Sequence, residues 1–330
     1  MEKRLLGDGL EVSAIGLGCM GFSHAYGVAT ERAEAVRTMR EAFDMGYTMF
    51  DTAECYTGVF TDGSVSYNEE LVGKALHDVR DKVQIATKFG VHHEGRTVVT
   101  DSRPAEIRRA VEGSLMRLGT DYIDLYYQHR IDPAVPAEAV AETVAELIAE
   151  GKVLHWGISE ATEDYLRRAN SVCPVACVQN RFSMMVHEHE ALFPVLEELG
   201  VGFVAFSPLA NGILTGAYDA NSTFAADDYR GAMPQNAAGA YERNAELFAC
   251  LGQLGKEKDA TPAQISLAWM LAKKPYIVPI PGSRKAIRLR ENAAAAQVKL
   301  TGEEVARIDA ALAALPMSDV FGGSPGKRAE

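Results

Sequence analysis

Short hydrophobic runs alternate with amphipathic, helix-like stretches along almost the whole chain. Such alternation is typical of parallel sheets whose strands are connected by helices. Eight alternations within 330 residues favour a closed (β/α)8 barrel over an open sheet. The eight runs are VSAIGLG, YTMFD, VQIATK, YIDLYYQH, KVLHWGIS, VACVQN, GFVAFS and YIVPI.

The stretches between these runs carry helix start and stop signals. Thr30 is the predicted N-cap of the first helix, and Gly46 follows its C-terminal end. Thr261 before Pro262 is typical of an N-cap followed by proline at the first helical position. The predicted helices include residues 30–45, 104–118, 138–150 and 188–199.

The two ends of the chain and one long connection lie outside this alternation. The segment RLLGDGLEV predicts a hairpin around Asp8 and Gly9, beneath the barrel floor. Residues 218–240 are rich in turn-forming residues, which indicates a lid or binding loop. An Ala-rich stretch up to Leu315 predicts a final helix. We therefore predict one domain over residues 1–330, in which residues 316–330 form a mobile tail.

Charge and composition narrow the possible partners. The chain has 33 basic and 45 acidic residues and a formal net charge of −12, which disfavours nucleic acid and anionic membranes as partners. No signal peptide is recognisable, and no run approaches the roughly 18 apolar residues of a membrane span. The five cysteines have no framework spacing, which predicts reduced thiols in a cytoplasmic protein. No single apolar patch in the sequence indicates an oligomer interface.

Four polar residues stand where predicted strands end. Asp51, Lys88 and His129 each close a hydrophobic run, and Tyr56 follows Asp51 five residues later. Catalytic residues of parallel barrels come from the C-terminal ends of strands and from the loops that follow. A phenol can donate a proton, an ammonium and a carboxylate can tune it, and an imidazole can orient a carbonyl group. Together these four residues predict an oxidoreductase.

Other ways of binding a dinucleotide or a metal fit less well. GLGCMG, from Gly16 to Gly21, matches G-x-G-x-x-G, but no helix opens at its third glycine. No tyrosine has a lysine four residues later, as the short-chain dehydrogenase arrangement requires. His187 and His189 could suggest a metal site, but they stand at a predicted helix start, where their side chains diverge. We predict no metal site.

The motifs in this order resemble the aldo-keto reductase family, over nearly the whole chain. FDTAECY, IATKFG and DLYYQHRIDP resemble its catalytic motifs, while EGKVLHWGIS, VQN, FSPLANGILTG and PIPGSRKAIRLREN resemble its cofactor-binding segments. The likeness is greatest to the branch of auxin-induced-type and related microbial reductases. The resemblance implies NADPH/NADP+ bound in extended form across the barrel mouth, and a small-molecule carbonyl substrate.

The family resemblance also implies roles for individual residues. Tyr56 would be the proton donor, Lys88 would lower its pKa, and Asp51 would hold Lys88, while His129 would orient the substrate oxygen. A helix starting near Ser283 would place Arg284 and Arg288 one turn apart, facing the 2′-phosphate. Ser159 and Gln179 would hold the carboxamide, with Phe206 on the nicotinamide ring; Ser207, Pro208, Leu209 and Gly212 would cradle the pyrophosphate, and Glu291 and Asn292 would reach the adenine. The full implied cofactor set is Cys19, Met20, Asp51, Ser159, Gln179, Phe206, Ser207, Pro208, Leu209, Gly212, Gly282, Ser283, Arg284, Arg288, Glu291 and Asn292.

Two departures from the family pattern concern the pocket. Residues 57–67 are longer than the corresponding family turn, and Glu160 places an acid near the expected carboxamide. Specificity is expected in the loops 22–29, 56–67, 91–100 and 218–240. Their aromatic residues predict an apolar pocket: Phe22, Tyr26, Phe60 and Tyr229. The rival functions are a slow NADPH-binding redox sensor and a barrel that acts on a phosphorylated sugar.

Overall fold

The computed structural model describes residues 1–94 and 97–321, and its centre is an eight-stranded parallel sheet. Each strand of this sheet pairs with its neighbour in chain order. Gly16 N donates a hydrogen bond to Pro279 O (3.0 Å), which joins the first and last strands and closes the barrel. The barrel strands are β3 (Leu17–Gly18), β4 (Met49–Asp51), β7 (Gln84–Phe89), β10 (Ile123–Gln128), β11 (Val153–Ser159), β12 (Cys177–Arg181), β13 (Gly202–Phe206) and β14 (Ile277–Pro279).

Helices follow the barrel strands and bury one face against them. In the helix Ala137–Ala149, for example, Val140, Val144 and Leu147 recur at helical spacing and are buried. The predicted (β/α)8 fold is thereby confirmed. The helices of the described residues are α1 (Arg32–Asp44), α2 (Asn68–Leu76), α3 (Pro104–Leu118), α4 (Ala137–Ala149), α5 (Glu163–Asn170), α6 (Phe193–Leu199), α7 (Ala240–Arg243), α8 (Ala245–Lys258), α9 (Pro262–Lys273), α10 (Ala286–Ala294) and α11 (Gly302–Ala314).

The predicted N-terminal hairpin closes the bottom of the barrel. Its strands β1 (Lys3–Leu6) and β2 (Leu10–Ser13) pair antiparallel across a turn that includes Asp8 and Gly9. Leu6 and Leu10 are buried in one cluster with Val204 of β13 and with residues of the neighbouring barrel strands. Because the hairpin fills one end of the barrel, only the C-terminal end of the strands is left for chemistry.

Two predicted helix starts differ from the structure. The first helix begins at Arg32 with Glu31 as its N-cap, because Thr30 N is still bonded to Phe22 O (2.7 Å). The segment 188–199 opens with a 3₁₀ turn, and the α-helix begins only at Phe193. Pro194, which has no N–H, fits in the first turn of that helix. The predicted helix 104–118 has the bounds of α3, and Thr261 makes the predicted cap of α9.

Loops and two small hairpins surround the C-terminal mouth. The long segment 57–67 folds as strands β5 (Thr57–Val59) and β6 (Val65–Tyr67), and the loop after Lys88 as β8 (Val91–Glu94) and β9 (Thr97–Thr100). Residues 95 and 96, in this last loop, lie outside the described residues. The segment 218–240 crosses to the loop after β3, where Tyr229 N donates to Ala25 O (2.9 Å).

The first residues of the predicted mobile tail, 316–321, make hydrogen bonds to the rest of the chain. Ser318 is buried, and its backbone N–H donates to Asn244 Oδ1 (2.9 Å). Phe321 N donates to Gln235 Oε1 (2.9 Å), and Phe321 O accepts from Arg181 (2.7 Å). These bonds connect residues 318 and 321 to the barrel, and the predicted mobility of the tail stays a prediction. Residues 322–330 lie outside the described residues. Within the described part of the chain, every helix is too short or too polar to cross a bilayer.

Candidate active site

Asp51, Tyr56 and Lys88 meet at the C-terminal end of β4 and β7. The Lys88 ammonium donates to Asp51 Oδ1 (2.5 Å), Thr52 O (2.8 Å) and Tyr56 Oη (3.4 Å). Its three N–H groups therefore all have partners, and one of them points at the phenol. Only 1% of Lys88 and 3% of Asp51 is exposed, so the ion pair lies in a medium that strengthens its attraction.

Gln179, which the family resemblance placed on the carboxamide, also belongs to this network. Its Nε2 donates to Asp51 Oδ2 (2.7 Å), so both oxygens of the buried carboxylate are bonded. Gln179 is itself only 3% exposed, in the middle of β12. The residue therefore fixes the carboxylate that holds Lys88, a contact that links positions 128 residues apart.

Burial dominates the ionisation of the phenol. It raises the pKa of Tyr56, and the positive charge of Lys88 offsets this rise only in part. Lys88 thus acts on this pKa in the expected direction, but in the protein without ligand burial outweighs it. Burial also works against the Lys88 ammonium, but the charges of Asp51 and Tyr56 outweigh it, and the pKa of Lys88 is raised. Tyr56 thus carries its proton at neutral pH.

His129 follows β10 and lies edge-on to the phenol, with 5.7 Å between the ring centroids. Burial, followed by the positive charges of Arg130 and Lys88, lowers the pKa of His129 well below its ordinary value. The ring is therefore neutral and has a single N–H. Its Nδ1 lies 3.4 Å from Cys55 Sγ. A neutral imidazole in this position can donate a hydrogen bond to a carbonyl oxygen without transferring a charge.

Glu54 connects the turn that carries Tyr56 to the strand end that carries Lys88. Its Oε1 accepts from Gly90 N (3.1 Å), two residues after Lys88. Burial, reinforced by the negative charge of Glu69, raises the pKa of Glu54 from 4.5 to about 7. Ionising the Glu54 carboxyl group is therefore costly, and this group lies beside the turn that carries Tyr56.

Sequence reasoning missed three residues beside the proposed acid. Arg130 Nη1 donates to His129 O (2.6 Å) and to Ser159 Oγ (3.1 Å). The imidazole of His24 stacks on Tyr56 and on His93, with ring centroids 5.8 and 5.6 Å apart. Arg130 directly follows His129, so its position could have indicated it. His24 and His93 come from separate loops, and no signal in the sequence brings them together.

The predicted aromatic lining of the pocket is only partly correct. Phe22 and Phe60 are buried in the main hydrophobic core, where the Arg32 guanidinium covers the Phe60 ring at 4.3 Å. Tyr229 packs against Phe321. The aromatic rings that lie against Tyr56 are the imidazoles of His24 and His129.

Ser159 and Phe206 stand at the ends of β11 and β13, and the Arg130 guanidinium lies near both of them. Ser159 is buried, and the Arg130 guanidinium carbon lies 5.9 Å from the centroid of the Phe206 ring. Glu160 has a left-handed backbone (φ 56°), and its Oε1 accepts from Arg181 N at 3.4 Å. The acid that departs from the family pattern is therefore bonded to the backbone of the next strand.

The turn after β13 has an unusual run of left-handed backbone. Ser207, Ala210 and Asn211 have φ of 48°, 46° and 58°, and Gly212 has φ of 107°. A left-handed backbone costs about 1–2 kcal/mol for each non-glycine residue, so contacts elsewhere in the fold must stabilise this turn. Consecutive backbone N–H groups in turns of this kind form concave binding sites for anions. Within the turn, Ala210 N donates to Ser207 O and Gly212 N donates to Leu209 O, both at 2.9 Å. The phosphate-binding role that the family resemblance implies for this segment stays a prediction.

The arm after β14 differs from its predicted form. Helix α10 begins at Ala286 with Lys285 as N-cap, because Ser283 Oγ accepts from Lys285 N (3.1 Å) in a non-helical turn. Arg284 thus precedes the helix and is not on a helical turn with Arg288, which corrects the predicted arrangement. Gly282 lies where a Cβ would be 2.7 Å from Gly18 O, so only glycine fits there.

Arg284 and Arg288, the two arginines proposed for the 2′-phosphate, already have partners within the chain. Arg284 donates to Tyr26 O (3.0 Å) and Val28 O (3.2 Å), and Arg288 donates to Glu291 Oε2 (2.6 Å). A phosphate group would have to share or replace these bonds.

The remaining predicted cofactor residues are only partly available to a ligand. Asn292 is 4% exposed. The Cys19 side chain is buried in the main core, whereas Met20 is half-buried. Cys19 could therefore contribute only through its backbone.

Comparison with known proteins places this geometry among related barrels. The model of the Aldo/keto reductase family matches residues 14–313. The chain is 38% identical over 319 residues to "Probable aldo-keto reductase 1" of Glycine max, covering 96% of this chain and 89% of that protein. It is 39% identical to "Aldo-keto reductase str7" of Strobilurus tenacellus, covering 93% and 91%.

Solved structures show the same similarity. A glycerol dehydrogenase from Gluconobacter oxydans superposes with a TM-score of 0.84 at 27% identity, over 97% of this chain and 98% of that one. An aldo/keto reductase from Klebsiella pneumoniae, in complex with NADP and acetate, has a TM-score of 0.71 at 27% identity, over 97% and 100%. The predicted family is thereby confirmed, and NADP(H) is the cofactor of this family. The chain belongs to the aldo/keto reductase family.

Proposed function

We propose that this protein is an NADPH-dependent reductase that converts aldehydes or ketones into alcohols, with Tyr56 as the proton donor. The observation that supports this most is the contact of the Lys88 ammonium with Tyr56 Oη at 3.4 Å, inside a buried network with Asp51. An ammonium beside a phenol stabilises the phenolate that remains after proton transfer.

The cofactor assignment rests on the family and on the fit of the chain. The related reductase from Klebsiella pneumoniae binds NADP. Here the left-handed turn at residues 207–212 suits a pyrophosphate, and Ser159 with Phe206 suits the nicotinamide. When bound, NADPH supplies the hydride for the carbonyl carbon. Arg284 and Arg288 are the proposed partners of the 2′-phosphate.

Two side chains then act on the substrate oxygen, and a third stabilises the phenolate that remains. Tyr56 is protonated at neutral pH because burial raises its pKa, so it can give a proton to the oxygen. Asp51 holds Lys88 in place, and the positive charge of Lys88 stabilises the phenolate that remains after the proton is transferred. Neutral His129 donates a hydrogen bond to the same oxygen and fixes the direction of attack. In the reverse direction Tyr56 must lose its proton, so alcohol oxidation is expected to rise with pH.

The test is Tyr56→Phe, which removes one oxygen and keeps the ring. We expect turnover of 4-nitrobenzaldehyde to fall by about 10²- to 10⁴-fold, the usual contribution of a positioned acid. Fluorescence titration should show unchanged NADPH affinity, since no proposed cofactor contact is lost. A variant with full activity would refute the acid role.

The same assay separates the enzyme from a redox sensor. Tight NADPH binding with negligible turnover by the wild-type protein, across a panel of small aldehydes, would favour the sensor. The complete set of Asp51, Tyr56, Lys88 and His129, each in contact with another member of the set, supports the enzyme.

A further inference from the structure

We propose that the Cys55 thiol sets the tautomer of His129 and so makes its Nε2 the hydrogen-bond donor toward the substrate. This inference rests on the proposed function, in which His129 binds the carbonyl oxygen. Cys55 Sγ lies 3.4 Å from His129 Nδ1, and both side chains are buried. Cys55 is thus a positioning residue that acts through the imidazole.

The direction of this hydrogen bond follows from the chemistry of the two groups. Burial raises the pKa of the Cys55 thiol to about 12, so the sulfur carries its proton. Burial and neighbouring positive charges keep His129 neutral, with one N–H and one bare nitrogen. His129 Nδ1 is the acceptor that the structure places beside this S–H, so we assign the thiol as the donor. Nδ1 is then the bare nitrogen, and the ring proton is on Nε2.

The alternative tautomer would harm the proposed reaction. With its proton on Nδ1, the ring would present the lone pair of Nε2 to the substrate oxygen, and two acceptors would face each other. A weak thiol bond is sufficient to prevent this, because the two neutral tautomers of an imidazole are both accessible and a small bias decides between them. The hydrogen bond at Nδ1 therefore decides whether Nε2 can donate to the substrate oxygen.

The backbone holds Cys55 rigidly in place for this contact. Tyr56 N donates to Ala53 O (3.1 Å) and Thr57 N donates to Cys55 O (2.9 Å), which gives a tight turn around the thiol. Cys55 also packs in a small cluster with Ala53 and Val91. The same turn carries Tyr56, so the acid and the partner of the imidazole are positioned together.

The experiment compares Cys55→Ser, which keeps a donor, with Cys55→Ala, which removes it. In protein labelled with ¹⁵N-histidine, the His129 signals are identified by their loss in His129→Ala. We expect Nε2–H in the wild type and in Cys55→Ser, and a substantial Nδ1–H population in Cys55→Ala. For Cys55→Ala, kcat/KM should fall by about three- to tenfold, the usual worth of one hydrogen bond. NADPH affinity and thermal stability serve as controls and should change little in either variant.

A double-mutant cycle gives the second readout. In the His129→Ala background, Cys55→Ala should cause no further loss of kcat/KM, because the imidazole through which the thiol acts is gone. The proposal is overturned if His129 keeps Nε2–H in Cys55→Ala, or if the loss is equal in both backgrounds. The NMR measurement needs no turnover. A failure of the reductase assignment in Tyr56→Phe is therefore distinguishable from a failure of this positioning role.

Discussion

Asp51 and Lys88, at the ends of β4 and β7, are almost fully buried and bonded to each other, and Gln179 supports them. Arg284 and Arg288, after the last barrel strand, are partly exposed and bonded to a loop backbone and to Glu291. Both regions lie on the C-terminal side of the barrel, and both are built from charged side chains. At the first, the charges already have the partners that the proposed reaction requires. At the second, the partners are ones that a ligand must share or replace.

This difference shows which part of a site a fold can prepare in advance. Strand ends are fixed by the ladder hydrogen bonds on both sides, so their side chains can be buried and bonded before any ligand arrives. The segment after the last strand has no such ladder, so its charged side chains can exchange their partners when a ligand binds. We therefore expect substitutions at the first region to affect turnover and stability, and those at the second to affect cofactor affinity.

The largest effect is expected for Lys88→Met. Turnover should fall by at least about 10²- to 10⁴-fold, because the phenolate loses its neighbouring charge. The free energy of unfolding in urea should fall by about 3–5 kcal/mol, because Asp51 is left buried without a counter-ion. The double variant Asp51→Asn/Lys88→Met should recover much of the stability and none of the turnover. A stable single variant would mean that the pair is less buried than the structure indicates.

Glu54→Gln tests how much free energy it costs to ionise a carboxyl group in the buried region. The folded pKa of Glu54 is raised to about 7, so its stability contribution is fully present below about pH 4.5 and is lost as pH rises through about 7. Gln keeps the acceptor for Gly90 N but cannot ionise. We expect the variant to exceed the wild type by up to about 3 kcal/mol in free energy of unfolding at about pH 8, and to match it at about pH 4. An equal gain at both pH values would exclude ionisation as the cause.

Arg284→Ala moves the comparison to the second region. NADPH affinity should weaken by about 10- to 100-fold, the worth of a charge-assisted hydrogen bond to phosphate, whereas NADH affinity should stay the same. The exposed Arg290 is the matched control, since Arg290→Ala removes the same charge from the same arm. If Arg284→Ala weakens NADH equally, Arg284 acts through its bonds to Tyr26 and Val28 rather than through the 2′-phosphate.

The sequence predicted the first region better than the second, for a physical reason. A period of two along each strand and parallel pairing place Asp51, Lys88 and His129 on one rim whatever the loops do. The start of α10 depends on one bond, from Lys285 N to Ser283 Oγ, which no pattern reveals. The helix was therefore predicted too early, and Arg284 was wrongly assigned to it.

The burial of Tyr56, the proposed proton donor, also could not be predicted from the sequence. The pKa of Tyr56 depends on how completely loops from distant parts of the chain cover the ring, and His24 stacks on it from a loop 32 residues earlier. The approach of Lys88 to Tyr56 could be predicted from the motifs, but the balance between its charge and desolvation could not. The same limit explains Gln179, whose bond to Asp51 spans the barrel interior.

The smallest effect is expected for Arg288→Ala. The Arg288 side chain is 44% exposed, so its charge is screened by solvent, and it must leave Glu291 before it can bind a phosphate. We expect NADPH affinity to weaken by only about threefold, and this loss should shrink further as salt is raised from about 0.05 to 0.5 M. Titrations with NADPH and NADH at both salt concentrations measure these changes. A loss at Arg288 as large as that at Arg284, and insensitive to salt, would mean that the arm is organised in advance like the buried region, and the contrast between the two regions would fail.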